Sequence, residues 1–321
     1  MRKTNLRKSK GITLIALVIT IIVLLILAGV AISMLSGENG ILTKAAEAKT
    51  KTEEGQKQEE TALLSMELET HFQTTNSQYK CSNGFITGIE LGTKVSELQS
   101  ALPDGYSICS KYNSSDNKDE EITDQQASIA TGMTIEKDGK TVARTVIYGD
   151  VNCSDGIETS DIDRIGNFLR GITAKDYQKL AADVNHDGVI NAQDIGCILD
   201  YRVGINLIDQ KIYAVNPKDI IIETDEYILK KCIQTFNQNE ENSKYKIEYD
   251  KDDDSYVLKG ASSSDKVEDI LKYFKDEKMI MSDSDGKQLA STDLVGEEYL
   301  IDWVLTGQFS RHVSICWITL K

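Results

Sequence analysis

Three histidines, His71, His186 and His312, are all that the 321 residues contain, and none stands at a catalytic spacing from a nucleophile. No G-x-S-x-G, H-E-x-x-H or phosphate-binding glycine loop occurs. Enzymes that depend on those motifs are excluded. The six cysteines (Cys81, Cys109, Cys153, Cys197, Cys232 and Cys316) include no C-x-x-C, which argues against a zinc site or thioredoxin-type chemistry. Disulfides are possible outside the cytosol, but the sequence selects no pairing. Positive charge is also scarce. Lys+Arg total 36 against 51 Asp+Glu, a net charge of −15. Arg2, Lys3, Arg7, Lys8 and Lys10 all precede residue 11, so the rest of the chain stands at 31 against 51, or −20. So acidic a body does not hold a phosphate backbone through counterion release, and no nucleic-acid partner is expected. Only Pro103 and Pro217 interrupt the chain.

What is present is a repeat. The twelve residues from Asp150 to Asp161 and the twelve from Asp183 to Asp194 are acidic loops, each opening a short amphipathic segment. Ile157 matches Ile190, Ile162 matches Ile195, Ile165 matches Ile198, Phe168 matches Tyr201 and Gly171 matches Gly204, all 33 residues apart. In the second loop Asp183, Asn185 and Asp187 hold positions 1, 3 and 5. Gly188 supplies the turn at 6, the Val189 carbonyl is available at 7, and Asp194 closes at 12. Oxygen donors at that spacing suit Ca2+. The first loop offers Asp150, Asn152, Ser154, the Gly156 carbonyl and Asp161, with its glycine displaced to position 7 and Asp155 at 6. Two calcium sites are expected, the second stronger. Cys153 is expected to be a free surface thiol, because calcium prefers oxygen.

Paired loops of this form, each followed by one helix, resemble the type I dockerin module over about 55 residues, an all-α unit that docks onto cohesin domains of scaffoldins. The resemblance implies that loop positions 10 and 11 and helix positions 17 and 18 touch the partner. These are Thr159, Ser160, Gly166 and Asn167 in the first copy, and Ala192, Gln193, Leu199 and Asp200 in the second. Neither copy has the basic pair that many dockerins carry at 17 and 18.

From Ile12 to Leu35 no residue is charged, a run long enough for a bilayer core, which takes ~20 residues. The cations before it predict a single-pass transmembrane helix over 12–35, with a cytoplasmic N-terminus and the remainder outside the cell. Lys10-Gly11-Ile12-Thr13-Leu14-Ile15 resembles the leader of type IV prepilins. That resemblance implies cleavage between Gly11 and Ile12 by a prepilin peptidase, methylation of the new terminus, and pilin-like subunits as neighbours. Ala16 stands where most pilins carry a Glu, which argues against a major pilin.

Residues 36–75 are mostly helix formers with few large apolar side chains and read as a solvated stalk or linker. Leu63, Leu64, Met66, Leu68 and Phe72 are the ones expected to pack. Residues 76–148 carry β signals, with a tight hairpin turn at Asp138-Gly139, a helix capped by Thr93, a polar loop over 113–126 and a last strand at 144–148. Phe85–Leu98 aligns without gaps to Val257–Ile270, with Gly88 on Gly260 and Thr93 on Asp265. Two related small β-rich domains, 76–148 and 240–321, are thus expected to flank the 149–204 module. A connector over 205–239 contains a helix near 224–236. Asp250–Asp254 and Ser282–Lys287 read as solvated turns, and Trp303 and Trp317 as core.

The fold class expected is α+β multidomain. The function expected is a noncatalytic, membrane-anchored, pilin-like surface protein that displays a calcium-dependent docking or adhesion module, linked to polysaccharide breakdown through a scaffoldin. Two alternatives stay open: a minor pilin or pseudopilin tip subunit with structural calcium, and a dockerin-bearing glycoside hydrolase.

Overall fold

The computed structural model of the chain describes residues 14–36, 41–75, 77–113, 118–274, 278–305 and 311–320. It comprises two compact units, Met1–Leu63 and Leu64–Lys321. In the first, α1 spans Leu14–Ser36 and α2 begins at Ile41 and runs to Thr74. The exposed part of α2 is built from Ala, Glu, Lys, Gln and Thr. Thr50, Thr52 and Thr61 return their hydroxyls to carbonyls four residues back, at 3.0, 2.8 and 2.8 Å. Those bonds let threonine sit in a helix it otherwise disfavours.

Among the described residues no helix is long and apolar enough to cross a membrane. The transmembrane helix expected at 12–35 and the single-pass placement that follows from it are therefore withdrawn. The leader cleavage expected between Gly11 and Ile12 lies outside the described residues.

The second unit starts inside α2. Leu68 and Phe72 are buried and Leu64 is partly so, whereas Leu63 and Met66 are exposed, so the helix presents one narrow stripe to the core. That stripe covers a six-stranded sheet. Its strands are β1 (Lys80–Ser82), β2 (Phe85–Thr87), β3 (Ser107–Asn113), β4 (Lys118–Glu121), β5 (Thr134–Lys137) and β6 (Lys140–Thr145), and α3 (Val95–Ala101) follows β2. The order is β1-β2-β6-β5-β3-β4, with β2 and β6 parallel. The β5–β6 turn places Asp138 and Gly139 at φ 52 and 70, the left-handed pair a two-residue hairpin requires. Three local expectations change. The acidic tract expected to be a loop contains β4, which pairs with β3. The expected strand at 144–148 is the end of β6 and the residues after it. The cap of α3 is Lys94, while the Thr93 hydroxyl bonds the Glu90 carbonyl at 2.6 Å.

Next come α4 (Thr159–Leu169), α5 (Asp176–Ala182), β7 (Val189–Ile190), α6 (Ala192–Arg202), β8 (Ile221–Ile222) and α7 (Asp225–Asn237). The last part holds β9 (Lys246–Asp250), β10 (Ser255–Ala261), α8 (Val267–Leu271), β11 (Met279–Ser282), β12 (Leu300–Leu305) and β13 (Arg311–Leu320). Its sheet has the order β11-β12-β13-β10-β9, with β10 and β13 parallel. Read from β9, this follows the path of the first sheet from β1, with β4 as the first sheet's additional strand. Gly88 and Gly260 occupy the same place on the two paths. Their φ values are +78 and +93, and an added Cβ would lie 2.3 Å from the Gln78 carbonyl oxygen and 2.2 Å from that of Lys244. α7 buries Ile228, Cys232 and Phe236 against the second sheet together with Trp303. Trp317, expected in the core, is 44% exposed. The cap of α8 is Lys266 and not Asp265, whose carboxylate instead accepts the Ser262 N–H at 3.0 Å.

The expected fold class therefore needs correction. Among the described residues the chain is mixed α/β with eight helices and three sheets. The repeat region is not an all-α pair of loop–helix units. The first loop is followed by α4 and α5, and β7, within the second loop, pairs in parallel with β8.

Candidate metal centre

Strand β6 leads through Val146, Ile147 and Tyr148 straight into the first loop, and all three side chains are buried. The strand end therefore fixes where Asp150 sits. One Asp150 oxygen accepts the Ser154 N–H at 2.8 Å; the other accepts the N–H of Thr131, outside the loop, at 2.7 Å. At the far end Asp161 takes the N–H groups of Val151, Asn152 and Glu158 at 2.8, 2.9 and 2.6 Å. The second loop repeats the arrangement. Asp194 accepts Val184, Asn185 and Asn191 at 2.8, 3.3 and 2.9 Å, and Asp183 accepts Gly188 at 3.2 Å. Asn185 and Asp187 receive the N–H groups of Asp187 and Val189 at 3.1 and 2.8 Å. Each closing aspartate also lies in the first turn of its helix, where the free N–H groups favour a carboxylate.

Asp150, Asp161 and Asp194 are 0% exposed and Asp183 is 3% exposed. Burial pushes the carboxyls of Asp150 and Asp194 up to about 7, and the charges of Asp161 and Asp183 add to the respective shifts. Asp161 and Asp183 are also raised by burial. Backbone N–H groups offset part of the cost of each anion, but no Lys or Arg ion pair is formed by these four carboxylates among the described residues. Buried like charges of this kind suit a divalent cation. No group of three or more His, Cys, Asp or Glu side chains converges among the described residues. The donor set is instead mixed, with carboxylate, Asn amide, Ser hydroxyl and backbone carbonyl oxygens, as a hard cation accepts.

The loops differ at position 6. Gly188 has φ 81, and Asp155 adopts the same left-handed conformation with φ 75. For a residue with a Cβ that conformation costs ~1–2 kcal/mol. Cys153, expected at the surface, is 7% exposed, and burial raises its thiol. His186 meets the Tyr148 ring edge-on at 4.3 Å and reaches the Asp209 carbonyl at 3.2 Å.

The residues expected to touch a partner fall at two ends of the helix pair. The Arg202 guanidinium bonds the Thr159 hydroxyl, bringing the end of α6 beside the start of α4. Thr159, Ser160, Leu199 and Asp200 thus belong to one end. Gly166 and Ala192 line a common cleft at the other, with Asn167 and Gln193 as their chain neighbours.

Sequence reasoning missed the clamp around this module. The Gln210 side chain accepts from Tyr148 N–H and donates to the Tyr148 carbonyl, both at 2.8 Å, and its own carbonyl accepts Gly88 N–H at 2.7 Å. Ser82 and Thr87 donate to the Ala214 and Ile212 carbonyls, both at 2.6 Å. The connector is a strap along the first sheet. Its one sequence signal was the apolar run Ile220–Ile222 just after Pro217.

Paired acidic loops on antiparallel helices, with oxygen donors at cation-ligand spacing, define a calcium-loop docking module. Comparison with protein families matches residues 148–201 to the dockerin type I domain. That domain is accordingly present in the chain, and dockerin domains bind calcium and dock onto cohesins. No curated protein and no solved structure matches the chain. None of the comparisons supports a prepilin leader, a prepilin peptidase or pilin-like partners.

Proposed function

We propose that the chain is a noncatalytic docking protein that binds Ca2+ in both loops, more tightly in the second, and so holds a cohesin-binding face in shape. The reading is carried by the four buried aspartates, two per loop, gathered at ligand spacing and without a Lys or Arg ion pair among the described residues. Asp183, Asn185, Asp187, the Val189 carbonyl and Asp194 hold the stronger ion. Asp150, Asn152, Ser154, the Gly156 carbonyl and Asp161 hold the weaker one, because Asp155 must keep the left-handed conformation at position 6. Thr159, Ser160, Leu199 and Asp200 make one end of the candidate face, and Gly166, Asn167, Ala192 and Gln193 the other.

Calorimetric titration with calcium tests the first half. Two sites of unequal affinity are expected, and Asp183→Ala should remove the tighter. Capture of purified type I cohesins in calcium but not in EDTA tests the second half; capture by none, with calcium binding intact, would refute docking. One observation favours a second reading in which calcium serves the fold alone. Both loops are tied to the β sheets, the first through Asp150 to Thr131 and the second through β7 to β8.

A further inference from the structure

The two ends of the docking face are related by the 33-residue repeat, yet the structure treats them differently. α4 and α6 finish in the same turn. Gly171 and Gly204 have φ 91 and 77, and the N–H groups of Ile172 and Ile205 reach back to the carbonyls of Asn167 and Asp200 at 3.0 and 2.8 Å. Among the described residues only the α4 turn takes a hydrogen bond from another part of the chain, while Arg170 and Ile172 beside it stay exposed. Arg311, at the start of β13, donates to the Leu169 carbonyl at 3.2 Å and is held by Asp225 of α7 at 2.7 Å. The cleft left between that corner and Gly166 and Ala192 is about 310 Å3.

The opposite end is open and apolar. Val203, Ile205 and Leu207 follow α6 and are 69%, 67% and 91% exposed. They lie between the Arg202–Thr159 contact and Ile208, which with Ile157 fills the space that a Cβ on Gly149 would need. In the first copy the matching positions are Arg170, Ile172 and Ala174, the last buried in the core. Of these Ile172 alone is an exposed large apolar side chain, at 54%, so a run of three is found only after α6.

We propose that the C-terminal sheet, through Arg311, closes the Gly166–Ala192 end, so that a cohesin-type partner docks in one orientation, on Thr159, Leu199 and the Val203–Leu207 tail. This rests on the docking reading above. The partner surface it calls for is apolar, with a carboxylate opposite Arg202.

Hydrogen exchange on the full calcium-loaded chain tests the closure without any partner, with the second copy as internal control. The amides of Arg170–Ile172 should exchange about tenfold more slowly than those of Val203–Ile205, the protection one charge-assisted hydrogen bond supplies. Arg311→Ala should equalise the two turns. Asp225→Asn, which frees Arg311 while leaving it in place, provides the same test should the first variant misfold. Equal exchange in the unmodified chain would overturn the closure. Biolayer interferometry against a panel of purified type I cohesins tests the orientation. Leu207→Glu should weaken binding at least tenfold; affinity within twofold of the unmodified chain would overturn the proposal. Binding by no cohesin would instead refute docking and leave the exchange result standing.

Discussion

Lowering the pH from 8 to 6 should weaken calcium binding in a way the burial of Asp150 and Asp194 fixes in advance. Both carboxyls are raised from an ordinary 3.8 to about 7. At pH 8 each is mostly ionised and ready for a cation. At pH 6 each is about nine-tenths protonated, so the ion must expel a proton, and affinity falls by about tenfold per loop between pH 8 and pH 6. In the metal-free chain the same shift acts on stability. The unfolded carboxylate ionises near 3.8 and the folded one near 7. Stability is therefore highest below the unfolded value and is lost as pH rises between the two. For Asp150 the loss is on the order of 4 kcal/mol, and calcium reverses it. Calorimetry in two buffers of different ionisation enthalpy reads the released proton directly. About one proton per ion is expected at pH 6 and almost none at pH 8. Affinity that stays constant from pH 8 to 5.5, with no buffer dependence, would refute the burial argument.

Four substitutions probe other parts of the account. Gln210→Ala leaves the buried N–H and carbonyl of Tyr148 without partners and should cost about 2–4 kcal/mol in urea unfolding; a change under 0.5 kcal/mol would show that the strap carries nothing. Asp155→Gly relieves the left-handed position in the first loop and should tighten its calcium affinity about fivefold, equivalent to ~1 kcal/mol, on titration. Gly260→Ala should destabilise by more than about 3 kcal/mol, since its Cβ would meet the Lys244 carbonyl oxygen at 2.2 Å. Gly204→Ala, at φ +77 with open space around it, should cost only ~1 kcal/mol in the same assay.

The loops could be read from the chain because ligand spacing is local. An ion that takes oxygens from positions 1, 3, 5, 7 and 12 writes that spacing into consecutive residues. The Asp138-Gly139 turn was legible for the same reason. Contacts distant in sequence were not. Gln210 grips Tyr148 across 62 residues, and glutamine is no signal in itself. Strand β4 holds Lys118, Asp119, Glu120 and Glu121, a composition that suggests a solvated loop until β3 is seen to pair with it. Trp317 follows apolar neighbours yet is exposed, because a bulge at Ile315 between the Ser314 and Cys316 pairings shifts the alternation along β13 and leaves Ile315, Cys316 and Ile318 buried. The apolar run near the N-terminus predicted a helix, and α1 is one, but among the described residues it does not meet the requirement for crossing a membrane. The extra helix α5 and the β7–β8 pair escaped a reading that expected each loop to be followed by one helix.

Thermal unfolding of the full chain at pH 7.5, in EDTA and in millimolar Ca2+, is the most direct test of whether divalent-ion ligation holds the module together. Calcium at about a thousandfold over its dissociation constant contributes ~4 kcal/mol per site. The account predicts a melting temperature clearly higher in calcium and dependent on its concentration, with the increase reduced in Asp183→Ala. Coincident melting curves in EDTA and calcium would contradict it.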